Sequence, residues 1–437
     1  LKAPRGRARR ALGPPPFAQP RVSRSGVSGA RAMGQQPCLG HPFADAFPAW
    51  RGFYSGPSTA KESSHGNSST LGLFWGISCM QGWRDRMEDA HIAIPRLPRW
   101  RDTAVFGVFD GHGGEQVARF VERHLPEELA GHHPEDLHTA LVKSFQHMDK
   151  MLMDPRNIME LRRLTLGSGP GSTPLEASLV HPDFVGCTAL VCCVRPEAIT
   201  VANAGDCRAV LSRDGKAIEL TQDHKPNLPG EMERINKAGG CVMEQRCPHG
   251  SLYRVNGDLS LSRAIGDLRY KQNSLLRAQD QLITCTPEVH AYTRQPNDEF
   301  MVIACDGVWD VVSSQQAVDF VRRRLGNLLD GSLRPEAVAE SLLDACLSPD
   351  LQQTGGLGGD NMSLVLVVFA NEPGAQQRTS SLQGGEAAGW QHAGGIPFPR
   401  PFDVLGGCSS FAQPFGLGDR WTEPSAPESN LLGSARL

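Results

Sequence analysis

Three apolar runs end in an aspartate: Phe106-Gly107-Val108-Phe109-Asp110-Gly111, Val201-Ala202-Asn203-Ala204-Gly205-Asp206 and Val302-Ile303-Ala304-Cys305-Asp306-Gly307. A fourth run starts after one, Asp360-Asn361-Met362-Ser363-Leu364, and Arg84-Asp85-Arg86-Met87-Glu88-Asp89 sets two adjacent acids after a strand-like stretch. Glycine beside an acid lets the chain turn sharply and brings a backbone carbonyl close to whatever the acid binds. Several carboxylates at the ends of buried strands repel one another in low dielectric and need a compensating charge. Carboxylates, carbonyls and waters suit a hard divalent cation such as Mg²⁺ or Mn²⁺. Two such ions about 3.5–4 Å apart clamp an in-line phosphoryl displacement and make hydroxide available near neutral pH. Any one Asp-Gly alone reads as a strand-ending turn. The five segments together, with Arg84 and His112 attached, read as one polynuclear centre.

The elements that must carry these acids lie in the middle of the chain. Ala104–Phe109, Thr188–Val194, Ile199–Asn203, Met301–Ala304 and Ser363–Phe369 are β-branched or apolar runs of strand length. Ala209–Ser212 and Ala217–Thr221 flank Arg213-Asp214-Gly215-Lys216, a hairpin with an Asp-Gly turn. Helical periodicity appears over Glu115–Leu129, Pro134–Met153, Gln315–Leu329 and Pro335–Leu347. In the third of these Ala317, Phe320, Val321 and Leu325 form one apolar stripe. Successive strands lie only a few residues apart, which favours antiparallel pairing and an α+β layered fold over βαβ crossovers.

Composition sorts the remainder. The chain has 437 residues, with 44 Lys+Arg against 47 Asp+Glu. So even a balance argues against a nucleic-acid partner, which selects a basic excess. No apolar run approaches the roughly 20 residues of a transmembrane segment, and no secretory leader is expected. Residues 1–70 read as a disordered basic, Pro/Gly/Ser-rich tail, 71–370 as the catalytic domain and 371–437 as a disordered Gly/Pro-rich tail. The Arg-rich start also resembles a mitochondrial transit segment in composition, but prolines interrupt any amphipathic helix. Cytoplasmic or nuclear residence is the expectation. Were translation to begin at Met33, Gly34 would stand where N-terminal lipidation occurs, although Cys38 replaces the preferred Ser or Thr. The 12 cysteines contain no C-x-x-C pair and read as buried thiols. Cys241, Cys247 and His249 are a weaker zinc alternative without the usual short cysteine pair.

The segments Gly82-Trp83-Arg84-Asp85-Arg86-Met87-Glu88-Asp89-Ala90-His91, Phe109-Asp110-Gly111-His112-Gly113-Gly114, Gly205-Asp206-Cys207-Arg208, Ser262-Arg263-Ala264-Ile265-Gly266-Asp267, Cys305-Asp306-Gly307-Val308-Trp309-Asp310 and Gly359-Asp360-Asn361-Met362-Ser363 resemble, in order, the motif series of the metal-dependent serine/threonine protein phosphatases (the PPM or type 2C family), and within it the alpha/beta-isoform subgroup. The resemblance covers about residues 72–370. It implies an α-β-β-α sandwich, two antiparallel sheets flanked by helices. It implies a monomer acting on phosphoserine and phosphothreonine proteins, with two Mg²⁺ or Mn²⁺ ions and a weaker third. By the same resemblance Asp110 bridges the two ions, the Gly111 carbonyl binds one, and Asp306 and Asp360 bind the other. Glu88 and Asp89 act through water. Asp206 and Asp310, with Asp306, fit the third site. Arg84 holds the substrate phosphate, His112 protonates the departing oxygen, and water activated by the ions attacks phosphorus directly. His91 stands near the site with either a hydrogen-bonding or a structural part.

Three stretches depart from the family pattern. Cys187 stands for a serine in Gly186-Cys187-Thr188-Ala189, which should leave the strand intact. Arg246–Tyr253 is extra sequence in the flap beside the cleft. Leu161–Pro182 is long and Gly/Ser/Pro-rich and reads as a mobile loop. Separately, the C-terminal tail does not read as helical, unlike the helical extension that the resemblance to the alpha and beta isoforms implies. A non-catalytic phosphoprotein-binding scaffold would be marked by loss of metal-site acids, yet Asp110, Asp306 and Asp360 are all present. A two-metal nuclease would want a Lys/Arg cluster that the domain lacks.

Overall fold

Apolar character on both faces of a strand requires cover on both sides, and the longest runs of this chain have it. The computed structural model describes residues 56–100, 102–167, 180–247 and 250–370, all within one compact unit. In chain order the elements are β1 (Ser58–Ser68), β2 (Leu73–Gly82), β3 (Ala90–Ile94), β4 (Ala104–Phe109), β5 (Gly111–His112), α1 (Gln116–Ala130), α2 (Leu137–Leu152), α3 (Pro155–Gly167), β6 (Gly186–Cys187), β7 (Ala189–Val194), β8 (Ala198–Ala204), β9 (Arg208–Arg213) and β10 (Lys216–Glu219). They continue with α4 (Pro229–Lys237), β11 (Val242–Cys247), β12 (Gly250–Val255), β13 (Ile265–Gly266), β14 (Glu288–Thr293), β15 (Asp298–Ala304), α5 (Asp306–Trp309), α6 (Ser314–Arg322), α7 (Leu325–Leu329), α8 (Pro335–Cys346) and β16 (Met362–Phe369).

Two antiparallel sheets, ordered β1-β2-β16-β15-β9-β10 and β14-β8-β7-β4-β3, pack face to face. Side chains alternate along each strand, so one run feeds two cores. Phe106 and Val108 of β4 meet Trp75, Ile303 and Val367 between the sheets, while Val105 and Phe109 meet Phe120, Leu141 and Phe145 of the α1–α2 layer. On the other side Leu364, Leu366 and Val368 of β16 meet Val318, Phe320, Leu342 and Leu343 of α6 and α8. Adjacent Cys192 and Cys193 divide likewise between the two cores. Trp75 and Phe106 touch edge to face across the sheets at 5.5 Å between centroids, a contact worth about 1 kcal/mol beyond its burial. The α-β-β-α sandwich is therefore the architecture of the chain. Among the described residues no helix is long and apolar enough to cross a membrane.

Local expectations met the structure unevenly. The Asp-Gly hairpin is present: Arg213 pairs with Lys216, and Asp214 and Gly215 both adopt positive φ, the pair of conformations that fits the twist of the strands. Cys187 sits buried in β6, paired with Gly111 and Ile265 as the strand requires. Cys79, Cys187, Cys192, Cys193, Cys207, Cys285, Cys305 and Cys346 are buried free thiols. Burial pushes the Cys193 and Cys346 thiols up to about 12.

The folded region begins ahead of residue 71, because β1 lies inside the stretch expected to be a tail. Its side chains are mostly exposed and polar, so no hydrophobic signal marks it; the ladder to β2, from Asn67↔Phe74 to Lys61↔Met80, holds it. The single helix expected over Gln315–Leu329 is two, since Arg324 donates to the Phe320 carbonyl and lays its guanidinium on that ring, closing α6. Leu161 was expected to open a loop. It is instead buried in α3 against the α1–α2 core, and Glu160 is held there by Arg123 and His124. The extra flap sequence makes a separate hairpin, β11 with β12, registered from Val242↔Val255 to Cys247↔Gly250. Gly34, the tail 371–437 and His249 of the zinc alternative lie outside the described residues.

Candidate active site

Antiparallel pairing brings the acids to one rim of each sheet. In one sheet β4 ends just before Asp110, beside β3, which starts after Glu88-Asp89, while β8 ends just before Gly205-Asp206. In the other β15 ends before Asp306, and its neighbour β16 starts after Asp360 and Asn361. Two glycines let the rims close. A Cβ at Gly111 would collide with the Glu88 carbonyl, and one at Gly307 with the Asn361 carbonyl. Asn361 then fastens the loop that carries Arg84. Its Nδ2 donates to the Gln81 carbonyl at 2.8 Å and the Arg86 carbonyl at 2.9 Å, and its Oδ1 accepts from the Glu88 amide at 2.9 Å. Thr188 plays the same part for Asp110: its amide donates to the Asp110 carbonyl and its Oγ1 accepts from the Asp110 amide.

The electrostatics of the rim are those of crowded, poorly compensated anions. Burial holds the Asp110 carboxyl well above its ordinary range, and Asp306, Asp89, Asp360 and Asp206 push it further. Asp306 is raised for the same reasons, by burial and then by Asp206, Asp310 and Asp360. Burial, with Asp360 and Glu88, pushes Asp89 up to about 7. Both Asp89 carboxylate oxygens are buried without a hydrogen-bond partner. Asp310 rises to about 6 through burial, against the opposing field of Lys225. Glu88 is raised by burial. Two side-chain cations answer part of this charge: Arg84 Nη2 donates to Asp360 Oδ2 at 2.6 Å, and Lys225 Nζ to Asp206 Oδ2 at 2.5 Å.

A hard divalent cation fits this donor set. The donors are carboxylate and carbonyl oxygens, their mutual repulsion is what a cation relieves, and the buried Asp89 oxygens keep acceptor capacity that no cationic side chain meets. Among the described residues no three His, Cys, Asp or Glu side chains are grouped closely enough to ligate a single ion as they stand. Asp360 and Asp206 are instead engaged by Arg84 and Lys225.

His112, on β5, turns a ring nitrogen toward Asp267, with Nε2 and Oδ2 2.7 Å apart. Burial opposes its charging, but Asp267 overcomes this and raises the imidazole above its usual value. Beside Arg84 a cavity of about 240 Å³ is lined by Trp83, Asp85, Asp310, Leu357 and Asp360. The Trp83 indole is fixed there by its 2.9 Å bond to the Ser348 carbonyl. Half-exposed Arg84 is thus placed to meet an anion entering from solvent.

Every acid singled out in the sequence lies at this rim, along with Arg84, Gly111 and His112. His91 turns inward, its Nδ1 3.3 Å from Cys79 Sγ, and burial lowers its pKa; it is part of the packing. Four residues escaped the sequence reading: Asn361, Thr188, Asp267 and Lys225. The first three lie inside or next to motifs already noted, but nothing local to Asp223-His224-Lys225 advertises a cation for Asp206.

A sequence model of the family described as "Protein phosphatase 2C" matches residues 75–355. The chain is 42% identical over 340 residues to "Probable protein phosphatase 2C 42" of Oryza sativa subsp. japonica, covering 74% of this chain and 93% of that protein. It is 39% identical to "Probable protein phosphatase 2C 21" of Arabidopsis thaliana, covering 72% and 92% respectively. Among solved structures it is similar to serine-threonine phosphatase 2C from Toxoplasma gondii, with a TM-score of 0.53 at 23% identity, covering 70% of this chain and 99% of that one.

Proposed function

This chain belongs to the protein phosphatase 2C family and is a protein serine/threonine phosphatase, and from that premise we propose that it hydrolyses phosphoserine and phosphothreonine in proteins at the acid rim with two bound Mg²⁺ or Mn²⁺ ions. The observation that carries the reading is the crowd of buried carboxylates around Asp110, which no full set of protein cations neutralises. Mg²⁺ or Mn²⁺ dependence is general to the family. Asp110, the Gly111 carbonyl, Asp306 and Asp360 would hold the two ions, with Glu88 and Asp89 reaching them through water. Asp206 and Asp310, with Asp306, would hold a weaker third. When bound, the ions supply a Lewis acid for the phosphoryl oxygens and lower the pKa of the attacking water.

The rest of the work falls to the chain. Arg84 exchanges its single bond to Asp360 for two parallel hydrogen bonds to phosphate oxygens, which a planar guanidinium makes well. It stays on those oxygens as charge accumulates on them. Trp83 and Leu357 wall the cavity beside it. His112 gives a proton to the departing serine or threonine oxygen, a poor leaving group as an alkoxide.

Purified protein is assayed on p-nitrophenyl phosphate and on a phosphothreonine peptide, with Mn²⁺ and with excess chelator. Turnover of both with Mn²⁺ and neither with chelator is expected; metal-independent turnover overturns the reading. His112→Gln is expected to lower kcat on the peptide at least ~10-fold more than on the aryl phosphate, whose leaving group needs little protonation. Equal losses remove His112 from the proton-donor role.

A further inference from the structure

A histidine has two ring nitrogens, and a carboxylate bonded to one decides which of them is left to react. His112 Nε2 lies 2.7 Å from Asp267 Oδ2, and Asp267 is buried to 1% exposure on a different stretch of chain, 155 positions away. The pairing is built rather than incidental. Asp267 adopts a left-handed conformation, φ 51°, which is strained for a residue with a side chain. That conformation is held from both sides: the Asp267 amide donates to the Val185 carbonyl, and the Tyr270 amide donates to the Asp267 carbonyl. Its neighbour Gly266 donates its amide to Asp149 Oδ1 at 2.9 Å, and Asp149 is locked by Lys271 at 2.6 Å, a buried pair. Gly186 completes the setting, because a Cβ there would strike both Asp267 Oδ2 and His112 Nε2. A second carboxylate, a strained backbone and a missing side chain thus converge on one hydrogen bond.

We propose that Asp267 is the positioning residue of the reaction, holding hydrogen on His112 Nε2 so that Nδ1 is the nitrogen that serves the leaving oxygen. The proposal rests on the phosphatase reading above. Read with Oδ2 as the acceptor, the 2.7 Å contact makes Nε2 the donor of this pair. In the step, a P–O bond forms from water as the bond between phosphorus and the serine or threonine oxygen breaks. The electron pair of the broken bond goes to that oxygen, which takes the proton from Nδ1. The ring is left neutral with hydrogen on Nε2, still bonded to Asp267, and regains the Nδ1 proton from solvent. The water proton leaves with inorganic phosphate or to solvent. The products are the free hydroxyl and phosphate.

The first test needs no variant. In the protein labelled with ¹⁵N-histidine and held at a pH where the ring is neutral, long-range ¹H–¹⁵N correlations report which His112 nitrogen carries hydrogen, with His112→Gln used to assign the signals. Hydrogen on Nε2 is expected; hydrogen on Nδ1 overturns the proposal. The second test is Asp267→Asn, whose side-chain amide can donate to Nε2 and favours the other tautomer. Its kcat on the phosphothreonine peptide is expected to fall by about 10- to 100-fold, and its peptide-to-aryl-phosphate ratio at least ~10-fold. Introduced into His112→Gln, the same change should cost less than about twofold more, because it acts through the ring. A purely structural residue would lower both substrates together and add its loss to that of His112→Gln, and that result also overturns the proposal. If His112→Gln itself shows no leaving-group preference, the phosphatase reading of His112 fails, whereas failure of Asp267→Asn alone leaves that reading standing.

Discussion

Glu231 and Asp110 are both buried acids of one domain, and their surroundings treat them in opposite ways. Around Glu231 at the start of α4, Arg234 Nη1 donates to Oε2 at 2.6 Å, Arg263 Nη2 to Oε1 at 2.6 Å and Ser262 Oγ to Oε2 at 2.6 Å. Burial alone would raise this carboxyl, but the two guanidinium groups and the hydroxyl hold it down at about 2. Arg234 also donates to the Ser262 carbonyl, so the cluster ties α4 to the segment before β13. At the rim the same burial meets other acids instead of arginines, and the carboxyls of Asp110, Asp306 and Asp89 rise. A buried acid with a full set of donors is stabilising structure. A group of buried acids that lacks one costs stability, and groups of that kind cluster where a site binds charge or does chemistry.

The sharpest way to break the contrast is to neutralise one acid on each side. Asp306→Asn is expected to lower kcat at least ~1,000-fold, about 4 kcal/mol of transition-state stabilisation, on both substrate types with saturating Mn²⁺. In chelator the same variant should melt a few degrees higher than the parent, since it removes repulsion from a buried cluster. A lower melting temperature in calorimetry would show that Asp306 is structural after all. Glu231→Gln should do the reverse. A depression from 4.5 to about 2 corresponds to roughly 3 kcal/mol, and the urea midpoint should fall accordingly while kcat at 25 °C changes by less than about threefold. A stability loss under about 1 kcal/mol would end the comparison.

Stability against pH sharpens it further, with a smaller expected effect. In chelator the native rim keeps protons that the unfolded chain releases, because the folded Asp89 and Asp310 values, about 7 and about 6, lie above the ordinary carboxylate value of 3.8. The native state therefore binds more protons across that window, and stability falls as pH rises through it. Glu231 works the other way. Its folded value lies below 4.5, so its contribution is complete above pH 4.5 and is lost as pH falls toward about 2. Urea midpoints from about pH 3 to 8 should peak between these limbs in chelator. With Mn²⁺ at 100 times its dissociation constant, a further ~2.7 kcal/mol should appear near neutrality and move the maximum upward. An identical profile with and without Mn²⁺ would contradict the assignment of the rim as the cation site.

Much of this was legible in the residues. Runs such as Ala104–Phe109 and Ser363–Phe369 are apolar on both faces, and a strand of that kind must be covered on both sides, so layering follows from composition and period alone. The Asp214-Gly215 turn and the acids at strand ends are equally local, because each depends on a few neighbouring residues. Edge strand β1 was not legible, since its exposed polar side chains carry no pattern and only its ladder to β2 holds it. Nor was the break between α6 and α7, which depends on where one guanidinium settles.

What the chain by itself determined is therefore the set of elements with two apolar faces and the placing of acids at their ends. Tertiary structure alone decided which charges meet: Lys225 with Asp206, Arg84 with Asp360, Asp267 with His112, and two arginines with Glu231 but none with Asp89. The reason is physical. Conformational preference is settled over a few bonds, whereas the energy of a charge depends on whatever packing brings within a few ångströms and on how much water packing removes.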